Sequence, residues 1–457
     1  MAAGEGTRMR SSVPKPLHPV CGRAMIAWPV IAAREAGAER VGVIVSPDRD
    51  ISGSLPEGTE IVVQPVPDGT GGALRAALEI VAASEHVVVL SGDHPLVTGE
   101  LISALLETHR AEDAGATVMT AELAEPGSYG RIVRGEGGEV EAIVETRDPT
   151  EVSAEVLAIN EVNTGTYVFA AEPLVDALSR IGNDNSQREY YLGDVLPILR
   201  EAGQRIAGHR SPDARVNLGV NTRVELAAVE REARRAILER HMLAGVTIVD
   251  PDSAWIDADV EIEPDARIEP ATSLRGASSV GAGSVVGPHT TLIDSRLGRE
   301  VAVPHSYLVS CDVDDRCSIG PFAYLRPGAA LRPGAKAGAF VEIKNSEIGE
   351  GAKVPHLSYV GDAEVGAATN VGAGTITANY DGYDKHRTKI GKGARLGVHT
   401  SLVAPVPVGD RAYTGAGAVI RKPVPPGALG VTRGEQRNVE GYADRRAAEA
   451  KEEEEGS

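Results

Sequence analysis

The sequence predicts two domains of different class, an alternating α/β domain over residues 1–222 and a parallel β-helix over residues 246–430, joined by a helix. Three observations carry this. Aliphatic residues return every six positions from Ile256 onward. Short apolar runs alternate with helix-like segments before residue 222. A charged stretch free of Gly and Pro, Arg223 to Leu243, stands between the two.

The six-residue beat runs Ile256, Ile262, Ile268, Leu274, Val280, Val286, Leu292. It slips once and resumes as Ile319, Leu325, Leu331, then Ile348, Val354, Val360, then Val365, Val371, then Ile390, Leu396, Leu402, Val408. A period of six fits neither a helix nor an ordinary strand. It is the hexapeptide signature of a parallel β-helix, in which each hexad makes one flat face of a triangular coil and its aliphatic residue points inward. Eighteen residues per turn gives roughly ten coils. Aromatic residues are only 4% of the chain, which suits so narrow an interior.

In the first half, Val41 to Val45 and Val87 to Leu90 read as buried strands. Ile26 to Ala36 and Gly72 to Ala83 read as helices between them, in the manner of βαβ units. Residues 223–245 read as a rigid connecting helix. The tail, 431–457, ends in an acidic run and is expected to be partly disordered.

A formal net charge of −19 argues against nucleic-acid binding through bulk charge. No apolar run is long enough to span a membrane and no signal peptide is visible, so a cytoplasmic location is expected. Cys21, Cys311 and Cys317 are expected to be small packing residues in a reduced protein. The last two are expected in equivalent places on one β-helix face.

The chain opens Ala2-Ala3-Gly4-Glu-Gly6-Thr-Arg-Met-Arg10, followed by Pro14-Lys15-Pro16. Gly4 and Gly6 let backbone amides approach phosphate oxygens, and Lys15 offers a point charge. Further on come Gln64 with Gly69-Thr70, then Ser91-Gly92-Asp93 closing an apolar strand, then Tyr129-Gly130-Arg131. Glu145, Asn163-Thr164-Gly165 and Gly219-Val220-Asn221 complete the series. Together this string resembles the signature of sugar-1-phosphate nucleotidyltransferases. The resemblance implies that Ala2, Ala3, Gly4 and Lys15 hold the triphosphate of UTP. It gives Gln64, Gly69 and Thr70 the uracil, with Ser91 and Gly92 also in the nucleotide site. Gly130, Glu145 and Asn163 hold the sugar phosphate, and Asp93 with Asn221 holds Mg²⁺.

That family's fold begins with an apolar strand inside the sheet, and Met1 stands where this strand ends. Losing about five buried aliphatic residues would cost roughly 7–15 kcal/mol, the stability of a whole domain. We therefore expect a start upstream of Met1. An in-frame stop immediately before Met1 would refute that.

In the repeat half the interruptions are informative. They are Phe340 to Asn345, Pro355-His356-Leu-Ser-Tyr359 and the excursion Thr375 to Thr388. Loops on solenoids often carry function. The pattern places Lys344, His356 and Asn379 on the outside of the coil. With these residues the chain resembles, over nearly its whole length, the bacterial family of bifunctional N-acetylglucosamine-1-phosphate uridyltransferases and glucosamine-1-phosphate N-acetyltransferases. The fold implied is a Rossmann-like α/β nucleotidyltransferase domain followed by a left-handed parallel β-helix.

His356 is then the general base for acetyl transfer from acetyl-CoA to the amine of glucosamine 1-phosphate. Arg326 and Lys344 bind the sugar's phosphate, and Tyr359 and Asn370 orient the sugar. Ala373, Asn379, Tyr380, Val398, Ala416 and Arg433 line the acetyl-CoA site. The resemblance also implies a homotrimer with acetyl sites where subunits meet. The product, UDP-N-acetylglucosamine, feeds peptidoglycan and lipopolysaccharide precursors.

Two departures stand out. Val398-His399-Thr400 replaces the family's Ser-Asp-Thr, so weaker coenzyme A binding is expected. No tryptophan follows Asn438-Val-Glu, where Tyr442 is the nearest aromatic. Two other readings compete: an acetyltransferase whose first domain is defective, and a different sugar-nucleotide former with a purely structural β-helix. UTP-dependent pyrophosphate release separates the first, and the effect of His356→Ala on acetylation separates the second.

Overall fold

The computed structural model describes the chain except residues 5, 49, 128, 147–149, 151, 186–187, 433, 435 and 456–457. It forms two compact units. One comprises Met1–Ala244 with Trp255–Val260, the other Gly245–Ala254 with Glu261–Ser457.

In the first unit the apolar runs become strands and the mixed segments become helices. In order they are α1 (Ala27–Glu35), β1 (Gly42–Val45), β2 (Glu60–Val63), α2 (Thr70–Ala76), β3 (His86–Val89), α3 (Gly99–Ala111), β4 (Ala116–Glu122), β5 (Arg131–Arg134), β6 (Val140–Val144), β7 (Glu161–Ala170), α4 (Ala171–Arg180), β8 (Ile206–Arg210) and α5 (Arg223–Leu243). The helix expected over Gly72 to Ala83 is broken, with α2 followed by a separate piece, Leu78–Ala82.

β1 and β2 pair in parallel. β8, β4, β7, β5 and β6 follow one another in a second, mixed sheet, with β3 antiparallel to β7. Met1 and Ala2 run between the two sheets. Ala2 N donates to Ile44 O at 2.8 Å, and Met1 N donates to Leu90 O at 2.8 Å. The stretch leading into the glycine loop therefore lies inside the layer, not at its edge. A core of Ile44, Leu74, Val118, Phe169, Leu174 and Leu199 is buried between sheet and helices.

The second unit is the β-helix. Its short parallel strands stack coil on coil in three faces. Register sets aliphatic on aliphatic: Ile268 over Val286, then Leu274, Leu292, Leu308 and Leu325 in one column. All six are buried, each contributing about 1.5–3 kcal/mol. The beat does not lapse after Leu292. Leu297, Val303, Leu308 and Val313 continue it in the core, with some steps shortened to five residues.

Small polar residues two positions before the aliphatic ones bond to the next coil. Ser284 Oγ donates to Gly298 O and accepts from Val301 N, both at 2.9 Å. This satisfies buried polar groups that hydrophobic stacking alone would strand.

All three cysteines are free and buried. Burial pushes the Cys21 thiol up to about 12 and those of Cys311 and Cys317 up to about 11, so they stay protonated. Cys311 and Cys317 do not share a face. They precede Asp312–Val313 and Ser318–Ile319, strands of two different stacks, because successive hexads turn a corner. In the tail, Tyr442–Glu455 is helical, as its Ala, Glu, Arg and Lys content favours.

Candidate active sites

In the first unit the glycine loop reaches Lys15 by a route only glycine permits. Gly6 has φ +64°, and a Cβ there would lie 2.6 Å from Lys15 Cβ. Lys15 is thereby pressed inward. Its Nζ lies 2.6 Å from Asp93 Oδ2 and 3.1 Å from Asn221 Oδ1. Arg8 donates to the same Asn221 oxygen at 3.0 Å.

Two residues, 78 and 206 positions from Lys15, thus meet it at one point. Asp93 follows β3, and its carbonyl accepts from Val220 N at 3.0 Å. Asn221 precedes α5, where Thr222 and Glu225 form a capping box. Glu225 Oε2 accepts from Thr222 N at 2.7 Å and from Asn221 N at 2.8 Å. Burial alone would raise the Asp93 carboxyl. The charges of His94 and Lys15 outweigh it and hold Asp93 below the ordinary carboxylate range.

The donor set suits Mg²⁺. An ionised carboxylate and an amide oxygen converge on one cation, here the Lys15 ammonium, and both are hard oxygen donors. Among the described residues no group of three or more His, Cys, Asp or Glu could hold a metal. A metal here would take the rest of its shell from phosphate oxygens and water.

Ala2 is buried and Ala3 half-buried, while Gly4 is exposed. Gly92 packs on this start: its N donates to Met1 O at 2.9 Å. A second group gathers Gly130, Glu145 and Asn163. Asn163 N donates to Gly130 O at 2.9 Å, and a Cβ on Gly130 would lie 3.2 Å from Glu145 Oε1. Asn163 Oδ1 accepts from Gly165 N at 2.9 Å, and its Nδ2 donates to the Tyr167 hydroxyl at 2.8 Å. Gly165 in turn faces Ser91, linking this group to Asp93.

The third group is Gln64, Gly69 and Thr70. Gln64 is buried, and its Nε2 donates to Asp68 Oδ1 at 2.8 Å and to Gly69 O at 3.1 Å. That amide nitrogen therefore braces the loop from within.

In the second unit the β-helix sorts the candidates by face. His356, Ala373, Val398 and Ala416 stand one above another. Gly374 N donates to His356 O at 3.3 Å, His399 N to Ala373 O at 2.7 Å and Gly417 N to Val398 O at 2.8 Å. At about 4.8 Å per coil this column extends roughly 14 Å from His356, long enough for an extended arm of a carrier molecule. Asn370 lies on the same face, between Lys353 and Arg395. His356 is exposed, and its ring has no hydrogen-bond partner among the described residues.

Around the corner lie Arg326, Lys344 and Tyr359. Arg326 pairs with Glu342 at 2.8 Å, and Lys344 Nζ lies 3.2 Å from Asp362 Oδ2. The Tyr359 ring lies over Gly361, whose missing side chain leaves it room. Lys344 faces outward, as expected, beside the inward Ile343, and is half-buried by Asp362; Asn379 is buried, because it too donates to Asp362. Asn345 donates to Asp362 as well, at 2.7 Å. Burial would raise the Asp362 carboxyl, but the bonds from Asn345, Asn379 and Lys344 prevail and lower it.

Tyr380 is exposed within the excursion, and Val398 is exposed on its coil. Tyr380 bridges Lys385, while Asp381 accepts from Tyr383 N and Asp384 N, both at 2.8 Å, and meets His386 Nε2 at 2.7 Å. The excursion is thus a small ordered hairpin. Arg433 lies outside the described residues.

The sequence reading missed Asp362 and Glu342, the partners of the two phosphate-binding candidates. Asp362 sits at a coil corner with φ +49°, a conformation that Asp tolerates better than most residues. An acidic residue directly after Tyr359-Val-Gly361 was its only signal. Missed also were Arg8, Asp68 and Tyr190, which act through loop contacts with no sequence period.

A family model described as the MobA-like NTP transferase domain matches residues 1–193. A Streptomyces avermitilis protein named bifunctional protein GlmU is 46% identical over 453 residues, covering 98% of this chain and 93% of its own length. A Streptomyces coelicolor protein of the same name is 47% identical over 453 residues, with the same coverage. One from Mycobacterium tuberculosis H37Ra is 44% identical over 456 residues, covering 98% and 92%.

Proposed function

The chain belongs to the family of bifunctional GlmU proteins, enzymes with uridyltransferase and acetyltransferase functions, and from that premise we propose where and how its residues perform each step. The supporting observation is that each unit holds its own constellation: Lys15, Asp93 and Asn221 in one, the His356 column beside Arg326 and Lys344 in the other.

In uridylyl transfer, an oxygen of N-acetylglucosamine 1-phosphate attacks the α-phosphorus of UTP, and pyrophosphate leaves. Amides of the Ala2–Gly6 loop and the Lys15 ammonium face the triphosphate. The Gly130, Glu145 and Asn163 group holds the sugar, fixing it for in-line attack. Gln64 keeps Gly69 and Thr70 set for the base. Asp93 and Asn221 would hold Mg²⁺, which supplies neutralisation of the charge that develops on the phosphates.

In acetyl transfer, the amine of glucosamine 1-phosphate attacks the thioester carbonyl of acetyl-CoA. His356 accepts the amine proton as the C–N bond forms, and returns it to the departing thiolate as the C–S bond breaks. Arg326 and Lys344 receive the sugar phosphate, with Glu342 and Asp362 holding the two cations in place. Tyr359 and Asn370 orient the sugar. Ala373, Val398 and Ala416 make a narrow apolar track for the pantetheine arm, with Asn379, Tyr380 and Arg433 completing the site.

His356 and the Arg326–Lys344 pair lie on different faces of the β-helix, on three successive coils, and no hydrogen bond links them among the described residues. A homotrimer, with a neighbouring copy closing the pocket, answers that. A stable active monomer in light scattering would remove it. No helix among the described residues is long and apolar enough to cross a membrane. We place the enzyme in the cytoplasm, where its co-substrates are found.

Both assays on one purified sample test the reading. We expect acetyl-CoA-dependent acetylation of glucosamine 1-phosphate, and Mg²⁺-dependent pyrophosphate release from UTP. Absence of the second with the first intact would leave the Lys15 cluster without the proposed role.

A further inference from the structure

The loop that carries Gly69 and Thr70 is braced from within by Gln64 but also leans on a second segment. Gly69 has φ +101°, and among the described residues no side-chain hydrogen bond caps the helix α2 that starts at Thr70. The loop is held from the other side by residues 190–192. Tyr190 N donates to Asp68 O and Gly71 N donates to Tyr190 O, both at 2.7 Å. Leu192 N donates to Thr70 Oγ1 at 2.9 Å. A Cβ on Gly69 would lie 2.6 Å from Tyr190 O, so the two segments touch backbone to backbone.

One side chain fastens this pairing to the rest of the unit. The Arg75 guanidinium, on α2, lies 4.1 Å from the centre of the Tyr190 ring. Its Nε donates to Leu178 O at 2.7 Å and its NH2 to Ile181 O at 3.0 Å, carbonyls at the end of α4. Arg75 thus joins α2, the end of α4 and Tyr190. Only a planar fork can bond two carbonyls and still present a face to a ring, and lysine cannot.

We propose that Arg75 and Tyr190 are positioning residues for the nucleotide base: their stack presses residues 190–192 onto Asp68–Gly71 and so sets the geometry of Gly69 and Thr70. The inference rests on the reading that residues 64–70 receive the base of a nucleoside triphosphate. Neither side chain needs to touch the ligand. The consequence falls on affinity and base selectivity, because a loose loop still leaves Lys15, Asp93 and Asn221 in place.

The test is steady-state uridylyl transfer by the full chain with Tyr190→Phe, Tyr190→Leu, Arg75→Ala and Gly69→Ala. Tyr190→Phe keeps the ring face and is expected to match the parent. Tyr190→Leu and Arg75→Ala are expected to raise the KM for UTP roughly 3- to 30-fold with kcat little changed, the range a desolvated cation–π contact supports. Preference for UTP over CTP should fall with them. Equal behaviour of Phe and Leu at position 190, or a fall in kcat at unchanged KM, would overturn the inference. Gly69→Ala separates the two layers. If it raises the KM while Tyr190→Leu does not, the brace is wrong. If it too leaves the KM for UTP unchanged, the loop does not read the base. Should Arg75→Ala fail to fold, the Phe and Leu pair at Tyr190 still decides.

Discussion

The two units assemble their candidate sites by opposite means. In the β-helix, one repeating register stacks His356, Ala373, Val398 and Ala416, each position inherited from the coil below. In the α/β unit, Lys15, Asp93 and Asn221 come from distant segments and meet through three unrelated devices: a left-handed glycine, a strand end and a helix cap. The difference teaches where each site is vulnerable. A repeat spreads the work of positioning over many equivalent contacts. A loop-built site concentrates it in a few.

The strongest way to break this comparison is to disable one site and read the other. His356→Ala is expected to lower acetylation by about 10²–10⁴, the usual worth of a general base, with uridylyl transfer unchanged. Lys15→Ala is expected to lower uridylyl transfer by about 10²–10³, as losing one preorganised electrostatic group does, with acetylation unchanged. Both activities falling in either variant would mean that the sites do not act separately.

The same contrast explains what was legible in the sequence. The period of six exposes the β-helix and its inward column, because every coil obeys one geometric rule. Corner chemistry was not legible. Asp362 draws in Lys344 and Asn345 from the coil on one side and Asn379 from the coil on the other, and Asn379 is buried for that reason. In the α/β unit, motif residues such as Lys15 and Asp93 were recognisable one by one. Their meeting point was not, because hydrogen bonds between loops leave no period. Cys311 and Cys317 show the converse error: a correct count of one hexad does not mean one face.

Acid separates the units next. Glu161 is buried beside Arg134 and Arg210, with Arg134 NH2 at 2.6 Å, Arg210 NH2 at 3.1 Å and Thr120 Oγ1 at 2.5 Å. Burial would raise its carboxyl, but the Arg134 and Thr120 bonds prevail and hold it down at about 2, against 4.5 when free. A depressed folded pKa contributes stability that is present above the free value and lost as pH falls toward the folded one. The α/β unit should therefore lose about 3 kcal/mol between pH ~4.5 and ~2. The β-helix has depressed carboxyls too, Glu347 beside Arg332 and Asp362 beside Lys344, but they lie outside the aliphatic stack, and that stack and its Ser–backbone bonds do not titrate. Circular dichroism from pH 6 to 2 should show helix loss before strand loss. In Glu161→Gln this pH dependence should flatten. An unchanged acid midpoint in that variant would remove Glu161 as the cause.

The smallest effect tests the comparison at its finest grain. Thr222 caps α5, and Glu225 returns the contact to Thr222 N and Asn221 N. Removing the hydroxyl should cost about 1 kcal/mol, the worth of one N-cap. The cap also orients Asn221, whose side-chain oxygen meets Lys15. Thr222→Ala should therefore weaken the uridylyl site beyond its effect on stability, with about a fivefold rise in the Mg²⁺ concentration needed for half-maximal rate. Thr222→Ser keeps the oxygen and should behave as the parent. In the β-helix no single hydroxyl is expected to carry such a consequence, since buried Ser284 and its counterparts repeat the same bond coil after coil. If Thr222→Ala lowers the melting point without moving the Mg²⁺ requirement, the cap is structural only, and Asn221 is held by Lys15 and Arg8 instead.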